Sequence, residues 1–470
     1  SWFVEHPCPP DIVGINYYVT SDRYLDDRLD KYPAWRHGGN GRDLYADVEA
    51  VRAESGPVMK LGQLLRAAAE RFELPVAVTE CHLGCTREQQ LRWLWDVWET
   101  ARQVRAEGVD VRAVTVWALL GLHDWNSLVT QKAGYYESGA FDLRSEKPRK
   151  TVLAHCIRDI TAGAHAMHPV LQSPGWWRKP SIAEGQPLLI VGTGTLGQAF
   201  SRICDQRGLT HRLVSRQEVD VANAASLQHV LKQHAPWALI NAAGYSQIDP
   251  AEQDPDRCRR ANTTGAMTVA AACHAAMIRL VTFSSNHVFD GLQTRPYREG
   301  DRVAPINVYG VSKAEAERHV FHEMPNALII RASELFGPWD PGNFVQTVLR
   351  TLSLRQPVFA ANDIVVSPTY LPDMAHACLD LLIDGESGVW HLANQGEVTW
   401  AELARRIAIR AKRDVSQIVE RSTISLGLIA RRPAYSVLGS ERGTLLQTLN
   451  EAIDTFFADL MRADHESAVL

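Results

Sequence analysis

Three residues of this chain could together move a proton and steer a carbonyl: Ser285, Tyr309 and Lys313. Tyr309 and Lys313 stand four apart in Tyr309-Gly-Val-Ser-Lys313. On a helix that spacing stacks both side chains on one face, about one turn apart. An ammonium beside a phenol favours the phenolate. It is expected to lower the phenol's pKa from roughly 10 toward the range of an acid–base catalyst. Ser285 closes the run Arg279-Leu-Val-Thr-Phe-Ser-Ser285, which reads as a strand ending in hydroxyls. Its hydroxyl can donate to a carbonyl oxygen or to the developing alkoxide. Tyr and Lys are common on helix surfaces and Ser is common at turns, so the three gain meaning only from the elements that hold them.

Those elements form a nucleotide-binding pattern. Pro187-Leu-Leu-Ile-Val191 is a short buried strand that runs into Gly192-Thr-Gly194-Thr195-Leu196-Gly197, with a helix expected from Gln198. The first glycine allows a tight turn, the second lets a pyrophosphate approach the backbone, and the third lets helix and strand pack closely. The helix start then offers free N–H groups to phosphate. His211-Arg-Leu-Val-Ser215-Arg216 reads as the second strand. A hydroxyl and a guanidinium at its end, in place of an acid, suit a 2′-phosphate and favour NADPH, with NADH left open. Asp220 and Val221 follow and are expected near the adenine. Trp237-Ala-Leu-Ile-Asn-Ala242-Ala243-Gly244 is the next buried strand, and its small residues let a dinucleotide lie close. The expected fold is α/β, a Rossmann-like doubly wound parallel sheet over residues 187–470 with a small substrate-binding lobe.

In this half the chain resembles the extended short-chain dehydrogenase/reductases, and within them the dTDP-4-dehydrorhamnose reductase branch. The resemblance rests on FSSNHVFDG (283–291), PINVYGVSK (305–313), RASELFG (331–337), GNF (342–344), SPTYLPDMA (367–375), GVWHLAN (388–394) and RPAYSVLGSER (432–442). It implies a triad of Ser285, Tyr309 and Lys313, and reduction by NADPH of the C4 carbonyl of a nucleotide-linked 4-keto-6-deoxy sugar, as in dTDP-rhamnose biosynthesis. It further implies substrate contacts from Asn286, His287, Glu334 and Asn343. Three departures mark the chain. Its glycine loop is one residue shorter than the family's, Asn286-His287 replaces Asp-Tyr, and Glu334 replaces a Trp. They bear on which sugar is bound, because an acid in place of an aromatic wall changes which hydroxyls can be satisfied.

The first third has a different rhythm. Asp11-Ile-Val-Gly-Ile-Asn-Tyr-Tyr18, Leu74-Pro-Val-Ala-Val-Thr-Glu80 and Val111 to Leu120 read as strands, with helices at Lys60 to Phe72 and Gln89 to Ala106 between them. Residues 1–160 resemble the last part of a family 1 glycoside hydrolase (β/α) barrel. That resemblance implies Glu80 as a remnant nucleophile, with Trp117, Asp124 and Trp125 lining a sugar subsite. A retaining glycosidase needs two carboxyl groups about 5 Å apart, and the family's Asn-Glu-Pro acid is missing here. Three strands cannot close a barrel. With Ser1 rather than Met at its start, the chain is expected to be a fragment of a longer polypeptide, without glycosidase activity. Residues 161–186, rich in Gly and Pro with Trp176-Trp177, read as a linker that packs on something.

Composition narrows the rest. A formal charge of −5 over 470 residues provides no basic field for nucleic acid. No apolar run spans a bilayer, and no signal peptide opens the chain, so a cytoplasmic setting is expected. Eight scattered cysteines favour reduced thiols over a disulfide framework. Cys81 and Cys85 lack a second ligand pair, so no metal site is expected. A Mg²⁺ requirement and a homodimer are left open. Two other readings stand beside the reductase: a non-catalytic dinucleotide-binding regulator or scaffold, and one half of a bifunctional protein with a glycosidase.

Overall fold

The computed structural model describes residues 2–53, 60–127, 130, 134–164, 168–178 and 185–469. The chain divides into two compact units, Ser1–Leu143 with Pro148–Gly185, and Arg144–Lys147 with Gln186–Leu470.

In the first unit β1 (Val13–Asn16), β2 (Val76–Cys81) and β3 (Val111–Val116) form a parallel sheet in that order. Helices α1 (Leu61–Phe72) and α2 (Arg87–Ala106) connect them. The apolar runs foreseen as strands and helices are these elements, but three strands make an open sheet and not a barrel. The sequence reading missed a second, antiparallel sheet of Arg23–Asp26, Leu44–Glu49 and His37–Gly39. Polar pairs support it, including Arg23 Nε to Asp47 Oδ1 (2.9 Å) and Arg28 Nη2 to Asp26 Oδ2 (2.6 Å). The stretch read as a linker packs on α2. Trp177 meets Trp93 edge-on at 5.4 Å and donates to Asp96 Oδ2 (2.9 Å), and Arg92 Nε donates to the Val170 carbonyl (2.9 Å). The expected linker residues 165–167 and 179–184 lie outside the described residues.

The second unit holds a six-stranded, all-parallel sheet. Its strands are β4 (Leu188–Val191), β5 (His211–Val214), β6 (Ala238–Asn241), β7 (Arg279–Ser285), β8 (Leu328–Ala332) and β9 (Gly388–His391). They lie in the order β5-β4-β6-β7-β8-β9. Strands β4 and β6 are buried along their whole length, as sheets covered on both faces require. The order reverses between β4 and β6, so a crevice opens beyond their C-terminal ends, where open α/β sheets bind ligands. Helix α3 (Thr195–Arg207) starts at that point. Helix α4 (Ala224–His234) leads from β5 to β6, and helix α5 (Gly265–Ala275) leads from β6 to β7. Helix α6 (Val308–Glu323) carries Tyr309 and Lys313. It is tied to β8 by a buried bidentate pair, Arg331 Nε and Nη2 to Glu317 at 2.8 and 2.7 Å. A smaller lobe, with helices Phe344–Ser353 and Trp400–Arg410, has its own apolar core around Val345, Val348, Leu403 and Ile407.

Among the described residues no helix is long and apolar enough to cross a membrane. All eight cysteines are free thiols.

Candidate active site

The glycine turn is built as its spacing requires. Gly192 has φ +107°, and a Cβ there would lie 2.8 Å from the Ala243 amide nitrogen. A Cβ on Gly197 would lie 1.7 Å from the Gly192 carbonyl oxygen, so helix and strand touch backbone to backbone. Around Gly194 nothing lies within 4 Å of where a Cβ would be. The middle glycine therefore faces open space in front of the first turn of α3, whose cap has no side-chain partner.

Ser285, Tyr309 and Lys313 converge on that space. All three line a cavity of about 470 Å³ together with Gly194, Thr195, Leu196, Ala242, Ala243 and Gly244. The Ser285 hydroxyl is near enough to favour the Tyr309 phenolate. Lys313 Nζ lies 5.9 Å from the Tyr309 ring centre and donates to the Phe283 carbonyl (3.1 Å). The helix start is fixed by Asn307, whose Oδ1 accepts from the Gly310 amide (2.7 Å). Gly310 lets this turn sit on the strand end: a Cβ there would meet the His287 carbonyl oxygen at 2.2 Å.

The electrostatics differ from the expectation in one respect. Lys313 does not bring the phenol down. Burial pushes Tyr309 up to about 12, and the Ser285 hydroxyl offsets this only in part. Burial also lowers Lys313 to about 8. Desolvation disfavours both charged forms more than the two groups favour each other at this separation. The result is a neutral phenol at neutral pH, the protonation state a proton donor needs.

Beyond Ser285 the wall is polar. Asn286 Oδ1 accepts from Ser285 (3.0 Å), while its Nδ2 donates to Glu334 (3.2 Å) and to Ser436 Oγ (3.0 Å). His287 packs edge-on against Tyr309 at 5.7 Å. Asn286, His287 and Glu334 all line the cavity. Asn343 does not. Its side chain caps the helix Phe344–Ser353 and holds the carbonyls of Gly337 (2.9 Å) and Asp340 (2.6 Å), so the expected substrate contact is a loop tie.

The end of β5, where the adenosine is expected, is mixed. Arg216 is exposed and has no partner among the described residues. The Ser215 amide donates to Glu218 Oε2 (2.8 Å), an acid the sequence reading overlooked at this strand end. Asp220 is held by Arg260 (2.5 Å), and Val221 packs against Gly265.

Sequence reasoning missed several residues here. Trp400 and Phe344 form the far wall, 4.5 Å apart and edge-on. Asn262, in a π-helical turn, accepts from the Tyr245 amide (2.8 Å) and donates to Ser312 Oγ (2.9 Å), tying the segment after β6 to α6. A π-turn is frequent at functional sites, but no residue pattern announced this one.

In the first unit the expected sugar subsite is only partly assembled. Trp117 and Trp125 lie 5.2 Å apart, and the Tyr18 hydroxyl donates to Glu80 Oε2. Asp124 instead clamps a loop, accepting from the amides of Gly134 (2.9 Å) and Tyr135 (2.8 Å).

The family model described as the RmlD substrate binding domain matches residues 186–460. The chain belongs to that family. Its RmlD-like half is 33% identical over 259 residues to a dTDP-4-keto-6-deoxy-D-glucose reductase of Streptomyces niveus, covering 54% of this chain and 88% of that protein. It is 30% identical to a dTDP-4-dehydrorhamnose reductase of Streptomyces griseus, covering 54% and 86%. The crystal structure of dTDP-4-dehydrorhamnose reductase from Bacillus anthracis in complex with NADP is similar to it, with TM-score 0.56 and 29% identity, over 58% of this chain and 99% of that one. The RmlD-like half thus has the Rossmann-like reductase fold. The family match begins at residue 186.

Proposed function

We propose that the RmlD-like half reduces the C4 carbonyl of a nucleotide-linked 4-keto-6-deoxy sugar with NADPH. The observation that carries this is the meeting of Ser285, Tyr309 and Lys313 in one cavity at the mouth of the glycine turn. The cavity suits a dinucleotide. Gly194 leaves room for a pyrophosphate, and the buried Asn241 Oδ1 and Ser284 Oγ have no hydrogen-bond partner among the described residues. A reduced nicotinamide bound in this cavity supplies the hydride. Ser285 donates to the ketone oxygen and orients it. Tyr309 gives its phenolic proton to that oxygen. Lys313 stabilises the phenolate left behind and holds the ribose next to the nicotinamide.

Mixing the protein with NADPH and a dTDP-4-keto-6-deoxy sugar should bleach the reduced-nicotinamide absorbance in proportion to the sugar added. NADPH binding without oxidation would favour a regulatory protein instead. NADPH is preferred because Arg216 is free to meet a 2′-phosphate, although Glu218 beside it also suits a ribose diol.

The pH profile follows from Lys313. Its charged form is needed and is present below its pKa of about 8. Activity as kcat/KM should therefore hold through neutral pH and fall as pH rises past about 8, while Tyr309, at about 12, stays protonated throughout. A profile that falls on the acid side of neutrality, or runs flat far into the alkaline range, would contradict these roles.

The first unit is proposed to be a glycoside hydrolase-like segment without hydrolytic activity, since Asp124 is committed to its loop and Glu80 to Tyr18.

A further inference from the structure

Glu334 brings to the reductase cavity a carboxylate that no Lys or Arg among the described residues pairs with. The residue lines both the main cavity and an adjoining side pocket of about 230 Å³. Its carboxylate receives hydrogen bonds from neutral donors, Asn286 Nδ2 (3.2 Å) and the Ser333 hydroxyl. His287 Nε2 is 3.8 Å away. That imidazole is neutral, because Asn307 Nδ2 donates to its Nδ1 (3.0 Å) and burial lowers its pKa. The orientation of the Asn307 amide is fixed by the Gly310 amide on its Oδ1 (2.7 Å).

Of the cations on these walls, Arg432 is paired with another acid, its Nη1 on Asp249 Oδ1 (2.5 Å), and Lys313 Nζ hydrogen-bonds a backbone carbonyl, that of Phe283 (3.1 Å). Asp340 adds a second carboxylate to the lining. A ligand that shields Glu334 from solvent must supply it with donors or with positive charge, or bear the desolvation cost.

We propose that this site selects a keto sugar carrying a protonated amino group on the ring carbon next to the reacting carbonyl, with Glu334 as the carboxylate that receives it. The Asn286 carboxamide sets the position. One end takes the Ser285 hydroxyl (3.0 Å) and the other takes Glu334 (3.2 Å), so the acid stands one amide away from the group that orients the ketone oxygen. A hydroxyl in that place would offer a hydrogen bond but leave the charge unmatched. The inference rests on the reductase reading and names the substrate class within it.

The test compares two nucleotide-linked sugars that differ only in bearing a 3-amino or a 3-hydroxyl group. Calorimetry measures binding of the 4-hydroxy forms, and NADPH oxidation is followed separately with the 4-keto forms. The amino sugar should bind roughly 10- to 100-fold tighter, the range of a charge-assisted hydrogen bond. Glu334→Gln should remove that preference. In the unaltered protein the preference should shrink as salt is added, a readout that does not depend on the variant folding. Equal binding of the two sugars, or a preference that survives in Glu334→Gln, would overturn the inference. Oxidation of NADPH without any amino preference would overturn it alone. A preference without oxidation of NADPH by either keto sugar would instead overturn the reductase reading.

Discussion

Tyr309→Phe is expected to lower kcat by roughly 10²–10⁴-fold while leaving dinucleotide affinity as it is. Tyr309 lines the cavity, and the neighbouring Ser285 hydroxyl already donates to Asn286 Oδ1 (3.0 Å), so truncating the phenol leaves that donor satisfied. What disappears is the proton source. The ketone oxygen would still meet Ser285 but would have to take its proton from water. With burial holding its pKa at about 12, the phenol is protonated at neutral pH and carries the proton to be delivered. Single-turnover kinetics with saturating NADPH separates the chemical step from binding. A loss smaller than about tenfold would show that the phenol is not the donor.

Gly197→Ala should cost both fold stability and dinucleotide binding. Its Cβ would lie 1.7 Å from the Gly192 carbonyl oxygen, a backbone atom that cannot rotate away. The start of α3 would have to lift off β4. Overpacking of this kind costs about 1–3 kcal/mol, and more where backbone meets backbone. The amides that face the pyrophosphate move with the helix, so affinity for NADPH should fall more than tenfold, about 1.4 kcal/mol per decade. Gly194→Ala separates the two effects. Among the described residues, its chain neighbours aside, nothing lies within 4 Å of that Cβ, and φ is −72°, so the melting temperature should hold. Only the approach of the phosphates is narrowed. If both variants melt like the parent and bind NADPH alike, the turn does not hold the cofactor.

Four strands of the parallel sheet, β4 to β7, were legible because they are short, mostly apolar runs set between helices, whereas β8 and β9 were not read as strands. The glycine turn and the Tyr309–Lys313 spacing are local patterns, and local patterns survive in a one-dimensional reading. The far wall of the cavity is not local. Trp400 and Phe344 come from the smaller lobe, and only the packing of that lobe on the sheet brings them opposite Tyr309. Asn343 looked like a ligand residue because nothing in the sequence shows that the Gly337 and Asp340 carbonyls have already taken its amide. The strands at residues 23–49 were hidden for another reason: polar pairs support them, and apolar alternation is weak there. The expected fall in the Tyr309 pKa failed on magnitude, since burial outweighed a lysine 5.9 Å from the ring.

Gly310 gives the triad a gauge. The spacing between the serine at the strand end and the phenol at the helix start is set by a missing atom, since the first helical turn rests on the His287 carbonyl where any side chain would intrude. Alignment of the two hydroxyls is thus machined into the main chain rather than into rotamers. Side chains nearby, Asn286 and Glu334 among them, could then be exchanged without shifting that alignment.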